Sequence, residues 1–395
     1  MDDKNEKIKE KKIKSSSRKK KKIIMLFGVM TLTSVILVFE TVAWFIGTAE
    51  AKISSFEVGI STGESLKLSL DGQTWTETLS ITESNITSTS GSGEAYAGNS
   101  NHWAGPDGLV PLSTNGKINT EASRLELYGK SSLSATKGGF RLNSNKIDNA
   151  SGTEQDGYVV FDLFIKNGSG TDYIEEFNAA DDEDIYLTTD STVTSQASGA
   201  ADYGLANSVR VAFSQIGRVA STTEDPTEIT SISCGSTAKN TKLCDEVGTT
   251  IWEPNDTKHD TKLSSYFQKV CKKKTGPGEY TEEACDPITD GKAVPTYVVK
   301  EPVLSSDNID VYDGLNGYSG STKIEQAKTF TDTMKNMEDQ ARPTFFKLAA
   351  NSITKIRVYI YLEGQDVDNY DLISLGKKVS VQFGFTKDQL GLVEE

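Results

Sequence analysis

Side chains that bind metals or act as nucleophiles are scarce in this 395-residue sequence, which has two histidines and four cysteines. No H-E-x-x-H pattern is present and no two cysteines are spaced as C-x-x-C, so we expect no zinc centre. A phosphate-binding G-x-x-x-x-G-K-[ST] loop and a dinucleotide fingerprint opening a helix are missing as well. The sequence therefore predicts neither a metal site nor a cofactor.

Basic side chains are concentrated at the N-terminal end. Residues 1–22 hold eleven basic and four acidic side chains, a net charge of +7 within a chain whose total is −14. The difference leaves −21 for residues 23–395. An acidic remainder lacks the basic footprint that binds nucleic acid or anionic membrane surfaces. We therefore predict no nucleic-acid partner.

The apolar segment after this basic tail supports two interpretations. Residues 23–39 are uncharged and span about 25 Å as a helix, where a hydrocarbon core needs roughly 30 Å. Extended to residue 46, they would form a transmembrane anchor with a cytoplasmic N-terminus. The alternative is a signal peptide that signal peptidase cuts at the A-x-A step of Ala49 and Ala51. Both predict export, with 1–22 as a cytoplasmic tail and 23–51 as the export segment; the A-x-A step favours cleavage.

The four cysteines fall in one window, at Cys234, Cys244, Cys271 and Cys285. Beyond an export segment we expect disulfides, because the compartment is oxidising. Three pairings are possible, and the short loops favour Cys234 with Cys244 and Cys271 with Cys285. The window lies within residues 218–320, which interrupt the strand pattern and are too long for a sandwich loop. We predict an insertion lobe there, stapled by disulfides.

Alternating apolar and polar residues recur through the exported part and predict β-strands. Examples are residues 66–70, 208–217, 355–364 and 377–385, whereas residues 157–167 are nearly all apolar and predict a central strand buried on both faces. Many such strands separated by Gly, Asn, Asp and Ser indicate a mostly β fold, a jelly-roll-like antiparallel β-sandwich. We assign residues 52–217 and 321–395 to this domain.

One amphipathic helix is predicted over residues 321–343. Ile324, Ala327, Phe330, Met334 and Met337 share a stripe, and Pro343 ends the segment. We expect this helix to cover an edge or face of the sheet.

Short patterns that resemble enzyme motifs have the wrong context. The G-x-S-x-G match at Ser61 leads into a strand instead of a helix, so we interpret it as a turn. Two S-x-x-K matches begin at Ser134 and Ser352, but the accompanying K-T-G precedes S-D-N, the reverse of the usual order. Acidic residues in 178–186 and 366–371 could bind calcium, but neither stretch fits an EF-hand, and we interpret both as solvated loops. The sequence thus predicts a protein that is not an enzyme.

An ordered series of blocks resembles the TasA/camelysin-like family of exported proteins, which carries a dedicated class of signal peptide. The blocks are "ETVAWF" (40–45), "LKLSLDGQTW" (66–75), "GLVPLSTNG" (108–116), "GYVVFDLFIKN" (157–167), "DIYLTTDS" (184–191), "NSVRVAFSQ" (207–215) and "RVYIYLEGQDVDN" (357–369). The signal-exit block is the most specific of them. The metalloprotease label attached to camelysin-like proteins is not carried over, because the metal ligands for it are not found here.

The resemblance implies a jelly-roll-like biofilm-matrix or surface protein with a structural role, in which the N-terminal strand of one subunit completes the sheet of the next. An exposed sheet edge is a template for such strand addition. Residues 53–61 could be the donated strand or the first strand of their own domain. Two alternative functions stay open. One is a membrane-anchored adhesin or ligand-binding module that uses Trp103 in the loop 101–108, and the other is an extracellular hydrolase.

Overall fold

The computed structural model describes residues 52–60, 65–89, 93–130, 134–136, 139–149, 153–196, 205–254, 273–276, 279–281, 297–307, 309, 322–327, 330–331, 333, 343–366 and 378–387. Several sequence predictions fall outside these residues. They concern the basic tail, the apolar run, Ala49, Ala51, Ser61, Cys271 and Cys285.

The described chain is mostly β-strand, as predicted. The strands are β1 (Lys52–Ile60), β2 (Leu66–Ser69), β3 (Thr78–Ile81), β4 (Pro111–Ser113), β5 (Ile118–Asn119), β6 (Arg124–Leu125), β7 (Tyr128–Lys130), β8 (Ser134–Thr136), β9 (Gly139–Arg141), β10 (Ser144–Lys146), β11 (Val159–Asn167), β12 (Glu183–Leu187), β13 (Thr192–Gln196), β14 (Val209–Ala220), β15 (Thr249–Trp252), β16 (Lys273–Gly276), β17 (Glu279–Thr281), β18 (Tyr297–Val299), β19 (Ile324–Gln326), β20 (Phe330–Thr331), β21 (Phe346–Leu348), β22 (Ser352–Glu363) and β23 (Lys378–Thr386). The helices are α1 (Glu83–Thr87), α2 (Leu205–Ser208), α3 (Pro226–Thr230), α4 (Ala238–Glu246) and the 3₁₀ turn η1 (Ser305–Asp307).

Six strands form one of the two large sheets, in the order β21-β12-β23-β1-β3, with β13 also paired to β23. The first strand runs parallel to β23 and antiparallel to β3. The predicted alternation in β23 is confirmed, because Val379, Val381, Phe383 and Phe385 are buried while Gln382 is exposed. This sheet therefore has one apolar face and one polar face, the pattern that period-2 alternation produces.

Nine strands form the second sheet, and β22 lies at its centre. It pairs along its length with β11 on one side and β14 on the other, both antiparallel. The sheet continues from β11 to β2, from β14 through β15 to β20, and from the end of β22 through β4 and β7 to β10.

The main core lies between the two large sheets. Alternate residues of β11, such as Phe161 and Leu163, pack in one cluster with the apolar residues of β1 and β23. Phe213 of β14 is surrounded by aromatic rings, with centroids 5.3 Å from Phe383 and 5.8 Å from Phe385. Ring pairs in such edge-to-face arrangements add to the stability that apolar burial provides.

The opposite face of the nine-stranded sheet is buried too. The prediction of a central strand buried on both faces is confirmed for β11, which has no exposed residue. Strands β14 and β22 differ from their predicted alternation, because their polar residues are also covered. Two smaller apolar clusters lie on this face. One includes Tyr158, Tyr359 and Phe330, and the other includes Phe164 and Ile229.

The predicted helix over 321–343 is wrong where the structure describes it. Residues 324–326 form strand β19, which pairs with β18, and residues 330–331 form β20, which pairs in parallel with β15. Ile324, Ala327 and Phe330 are buried as expected, but within extended segments. Pairing with β18 and β15 decided the local structure, because a three-residue spacing of apolar residues does not by itself distinguish a helix from short strands.

The Cys234–Cys244 disulfide is present, as predicted. It ties α4 to the segment that precedes it, and α4 packs on β14. Strand β15, which follows, is hydrogen-bonded to β14. Among the described residues, no helix combines the length and the apolar character needed to cross a membrane.

Candidate interaction site around the first strand

Strand β1 occupies an internal position in the six-stranded sheet. It begins at Lys52, the residue after the predicted cleavage step, and it is hydrogen-bonded to a neighbour on each edge. Phe56 and Val58 point into the main core, and the Phe56 ring lies 5.4 Å from the ring of Trp103. Residues 53–60 are thus part of the first strand of their own domain in the single chain.

A groove of about 590 Å³ with a mixed polar and apolar lining lies along β1, β23 and β3. Its walls carry carboxylate, amide and hydroxyl groups. They belong to Glu57, Thr78, Ser80, Thr188, Thr189, Asp190, Ser191 and Gln382. These groups can donate and accept hydrogen bonds.

Two glycines face each other on the floor of the groove. Gly59 and Gly384 are register partners on β1 and β23. Thr188 donates its backbone N–H to the Gly384 carbonyl at 2.8 Å, and the Gly384 N–H donates to Ser191 Oγ at 3.1 Å. A Cβ at residue 384 would lie 2.7 Å from Thr188 Oγ1. Glycine is therefore required for the 188–191 turn to dock against β23.

Side chains that flank β3 donate hydrogen bonds to the carbonyls on its outer edge. Thr76 Oγ1 donates to the Thr78 carbonyl at 2.8 Å, and Asn85 Nδ2 donates to the Ser80 carbonyl. Asn85 also completes a capping box with Thr82 at the start of α1. Carbonyls engaged in this way are less available to an additional strand, which is how many sheet edges avoid pairing with other chains.

Of the serines singled out in the sequence, the structure describes Ser134 and Ser352, and both lie in strands. Ser352 is fully buried at the start of β22, and its hydroxyl donates to the Ala349 carbonyl at 2.7 Å. Ser134 begins the short strand β8, and the K-T-G residues 274–276 lie in β16. Neither S-x-x-K serine opens a helix, in agreement with the interpretation from sequence. Trp103 is partly buried against the main core.

Three carboxylates of the acidic stretches are paired with basic side chains, which differs from the expectation of solvated loops, while Asp181 is exposed and residues 367–371 lie outside the described residues. Asp182 accepts a 2.6 Å bond from Arg218, and Asp184 lies 2.5 Å from Lys347. Asp366 is buried and contacts Arg210. Within the residues that can be described, no group of three or more potential ligands is arranged to hold a metal ion.

The sequence did not predict two clusters of buried charged residues, which lie on the face of the nine-stranded sheet opposite the main core. In one, Asp162 of β11 lies 2.8 Å from Arg357 Nε and 3.3 Å from Lys355 Nζ, and Tyr96 donates its hydroxyl to the same carboxylate. Burial alone would raise the pKa of Asp162, but Arg357 and Lys355 hold it well below its usual value. Burial lowers the pKa of Lys355, and Asp162 opposes that effect. Asp162 is therefore charged at neutral pH.

The other cluster surrounds Arg210 of β14, whose guanidinium contacts Glu253 and Asp366 and lies 5.0 Å from the ring of Phe330. Burial raises the pKa of the neighbouring Glu363 to about 8, although Arg210 opposes the shift. A charged residue inside an apolar strand, as in "VVFDLF" and "VRVAF", was the signal in the sequence. Both clusters are buried, and each connects the strands of the sheet with residues outside them, such as Tyr96 with Asp162 and Asp366 with Arg210.

Comparison with known proteins gives no match to any family model, any curated protein or any solved structure.

Proposed function

We propose that this chain is an exported structural protein of the cell surface or extracellular matrix, and that copies join by exchanging strand β1. The observation that carries the proposal is the position of β1, which starts beside the predicted cleavage step and fills a slot between β23 and β3. We further propose a jelly-roll-like arrangement of the two sheets and a role that is not catalytic, in line with the resemblance to TasA/camelysin-like proteins.

The energetics favour a filled slot over an empty one. Withdrawing β1 would expose Phe56, Val58 and Ile60, which are at most 9% exposed. Each such side chain contributes about 1.5–3 kcal/mol through burial. The same strand from a neighbouring copy restores these contacts with an identical sequence, so the exchange costs little apart from the entropy of association. Because each copy gives one strand and accepts one, the contact is head-to-tail and can extend into a fibre.

Edge-to-edge addition at β3 is the less favourable route, because side chains of the same chain engage its outer carbonyls. Exchange of β1 requires cleavage at or near Ala51, since an anchored terminus is held at the membrane. Sequencing the N-terminus of protein from medium and membrane fractions tests this requirement. A start at or near Lys52 in the medium is expected, whereas a full-length chain found only in membranes would contradict exchange.

Site-directed cross-linking tests the exchange itself. Glu57 of β1 and Gln382 of β23 are register partners, and both are exposed. We would assemble a mixture of a Glu57→Cys chain and a Gln382→Cys chain and apply a short thiol-reactive cross-linker. Exchange predicts covalent pairs that contain one copy of each variant.

A matched control uses Thr194 of β13 and Ser380 of β23, which are also register partners. Cysteines at these positions on separate chains should give no covalent pairs, since β13 is not exchanged. If Glu57→Cys and Gln382→Cys react only when they are on one chain, or if no assembled material forms, strand exchange is wrong.

The groove along β1, β23 and β3 supports a second candidate function, a membrane-anchored ligand-binding module. Its hydroxyl, amide and carboxylate groups are those that bind polyhydroxylated ligands through hydrogen bonds. Gly59→Val would fill the floor, so loss of oligosaccharide binding in that variant supports this function. Unchanged binding, or none to the parent protein, contradicts it. The partly buried Trp103 ring packs against Phe56 and does not enter this candidate.

A further inference from the structure

Three side chains from three separate elements meet near one end of both large sheets. Asn167 ends β11 in the nine-stranded sheet, Glu183 begins β12, and Lys387 directly follows β23 in the six-stranded sheet. Asn167 is fully buried. The side chains of Lys387 and Glu183 are 20% and 34% exposed.

The three functional groups are all within hydrogen-bond distance of one another. Lys387 Nζ lies 2.7 Å from Asn167 Oδ1 and 2.8 Å from Glu183 Oε2. Asn167 Nδ2 donates to the same Glu183 Oε2, also at 2.8 Å. One carboxylate oxygen therefore contacts both nitrogens, and it can accept a proton from one and return it to the other.

The amide of Asn167 is held in a defined orientation. Its Oδ1 accepts the backbone N–H of Ser169 at 3.2 Å and lies 2.8 Å from Ser169 Oγ. Its Nδ2 also donates to the Ala349 carbonyl at 3.0 Å. Donors placed on a carbonyl oxygen stabilise the negative charge that develops there when a nucleophile attacks the carbon.

We propose that Lys387 and Asn167 form an intramolecular isopeptide bond, with Glu183 as the group that transfers the proton. The Lys387 ammonium gives one proton to Glu183, and the free Nζ electron pair attacks Asn167 Cγ. The Cγ–Nδ2 bond then breaks, the proton on Glu183 passes to Nδ2, and ammonia leaves. Glu183 then takes the second Nζ proton, which leaves one proton on the new amide, and the released ammonia carries the proton from Glu183 away as ammonium. The step consumes no oxidant, metal or nucleotide.

The charge state of Glu183 agrees with this role. Burial alone would raise its pKa, but bonds from Lys387, Ser169 and Asn167 hold the pKa below its usual value. Glu183 is therefore ionised at neutral pH and able to accept a proton.

The buried Lys355–Asp162 pair lacks these features. Its carboxylate is kept ionised by Arg357, which makes it a poor electrophile, and the additional charged group beside it is a cation instead of a proton acceptor. Close approach of a lysine and a carboxylate is thus not what distinguishes Asn167, Glu183 and Lys387. The distinguishing feature is a neutral amide with a carboxylate that bridges both nitrogens.

The bond would join residues separated by 220 positions in sequence. It would connect the strand beside the centre of the nine-stranded sheet with the strand that pairs with β1. It does not depend on strand exchange, because all three residues belong to one chain. Force applied through β23 would then reach the second sheet through a covalent bond.

Peptide mapping of the purified full chain tests the proposal. Trypsin should release residues 167–210 as one peptide and, where Lys387 is unmodified, cut the 379–395 segment after that lysine. A cross-link predicts a branched peptide that joins 167–210 to uncut 379–395, with the summed mass lowered by one ammonia. Fragmentation should place the branch at Asn167 and Lys387.

Variants separate the chemistry from the fold. Lys387→Arg retains a positive charge but cannot form the bond, and Glu183→Gln should abolish the link or slow its formation by at least tenfold. Lys378→Arg, at the other end of β23, is the matched control and should leave the link intact. A cooperative thermal transition in each variant would show that it is folded.

Recovery of 167–210 and 379–387 as separate peptides from the folded parent protein, with Asn167 unchanged or hydrolysed to aspartate, would overturn the proposal. An undiminished link in Glu183→Gln would overturn the proton transfer assigned to Glu183.

Discussion

Neutralising Asp162 tests whether the buried charges hold the nine-stranded sheet to the loops that cover it. The Asp162 carboxylate accepts bonds from Arg357 at 2.8 and 3.2 Å and faces Lys355 at 3.3 Å. Asp162→Asn preserves the shape but leaves two buried cations without a counter-charge. Breaking a buried ion pair from one side costs about 3–5 kcal/mol. Lys355 limits the cost, because its pKa is already lowered by burial and it can release its proton when Asp162 is neutral.

Urea unfolding at neutral pH measures this difference in free energy of unfolding. Asp190→Asn is the matched control, since Asp190 is exposed in the 188–191 turn and should change the stability by less than about 0.5 kcal/mol. A loss below about 1 kcal/mol for Asp162→Asn would refute the reasoning. It would mean that water reaches the cluster or that the cations are satisfied by carbonyls alone. Adding Lys355→Met should recover part of the loss, because it removes a buried amine that must otherwise stay charged without a counter-charge or give up its proton.

Three further perturbations follow from the structure. The pKa of Glu363 is raised to about 8 in the folded chain, so the folded chain keeps a proton that the unfolded chain loses, and the free energy of unfolding should fall as pH rises from about 5 to 8. Glu363→Gln should flatten this pH dependence in urea titrations. An unchanged pH dependence in that variant would contradict the assignment to Glu363. Gly384→Ala should lower the melting temperature, because the new Cβ would lie 2.7 Å from Thr188 Oγ1. Gly59→Ala is the control and should have little effect, because its Cβ would lie 3.9 Å from the nearest atom, Thr78 Cγ2. Equal changes in melting temperature would be inconsistent with the docking of the 188–191 turn against β23. Reducing the Cys234–Cys244 disulfide, whose cysteines are 10 residues apart, should cost about 3 kcal/mol of unfolding free energy. Denaturation with and without reductant measures this cost, and a variant with serine at both positions shows how much of the response comes from Cys271 and Cys285.

The positions of strands could be predicted from the sequence wherever apolar residues alternate with polar ones. In β23 the polar positions face outward, so pattern and burial agree. In β14 and β22 the pattern predicted the strands but not their environment. Arg357, for example, is covered by the Ser123 carbonyl, which is 234 residues distant in sequence. Such coverage depends on loops whose course the periodicity of a strand does not encode.

The prediction of a helix over 321–343 was wrong for a related reason. Ile324, Ala327 and Phe330 are core residues, as the spacing indicated, but the described parts of the segment form strands because they pair with β18 and β15. The Asn167, Glu183 and Lys387 group was equally hidden. Each residue is ordinary in its own segment, and the separations of 16 and 220 positions carry no local signal.

The order in which strands occur along the chain has a consequence for when this protein can fold. The central strand of the nine-stranded sheet spans residues 352–363, and the strand to which β1, β12 and β13 are hydrogen-bonded spans 378–386. Neither sheet can close until these late segments are available, so most of the chain leaves the ribosome before its pairing partners exist. Folds dominated by such distant contacts form slowly. Under the proposed export of this chain, the delay would be useful, because a polypeptide that has not yet closed its sheets can still be threaded through a narrow membrane channel.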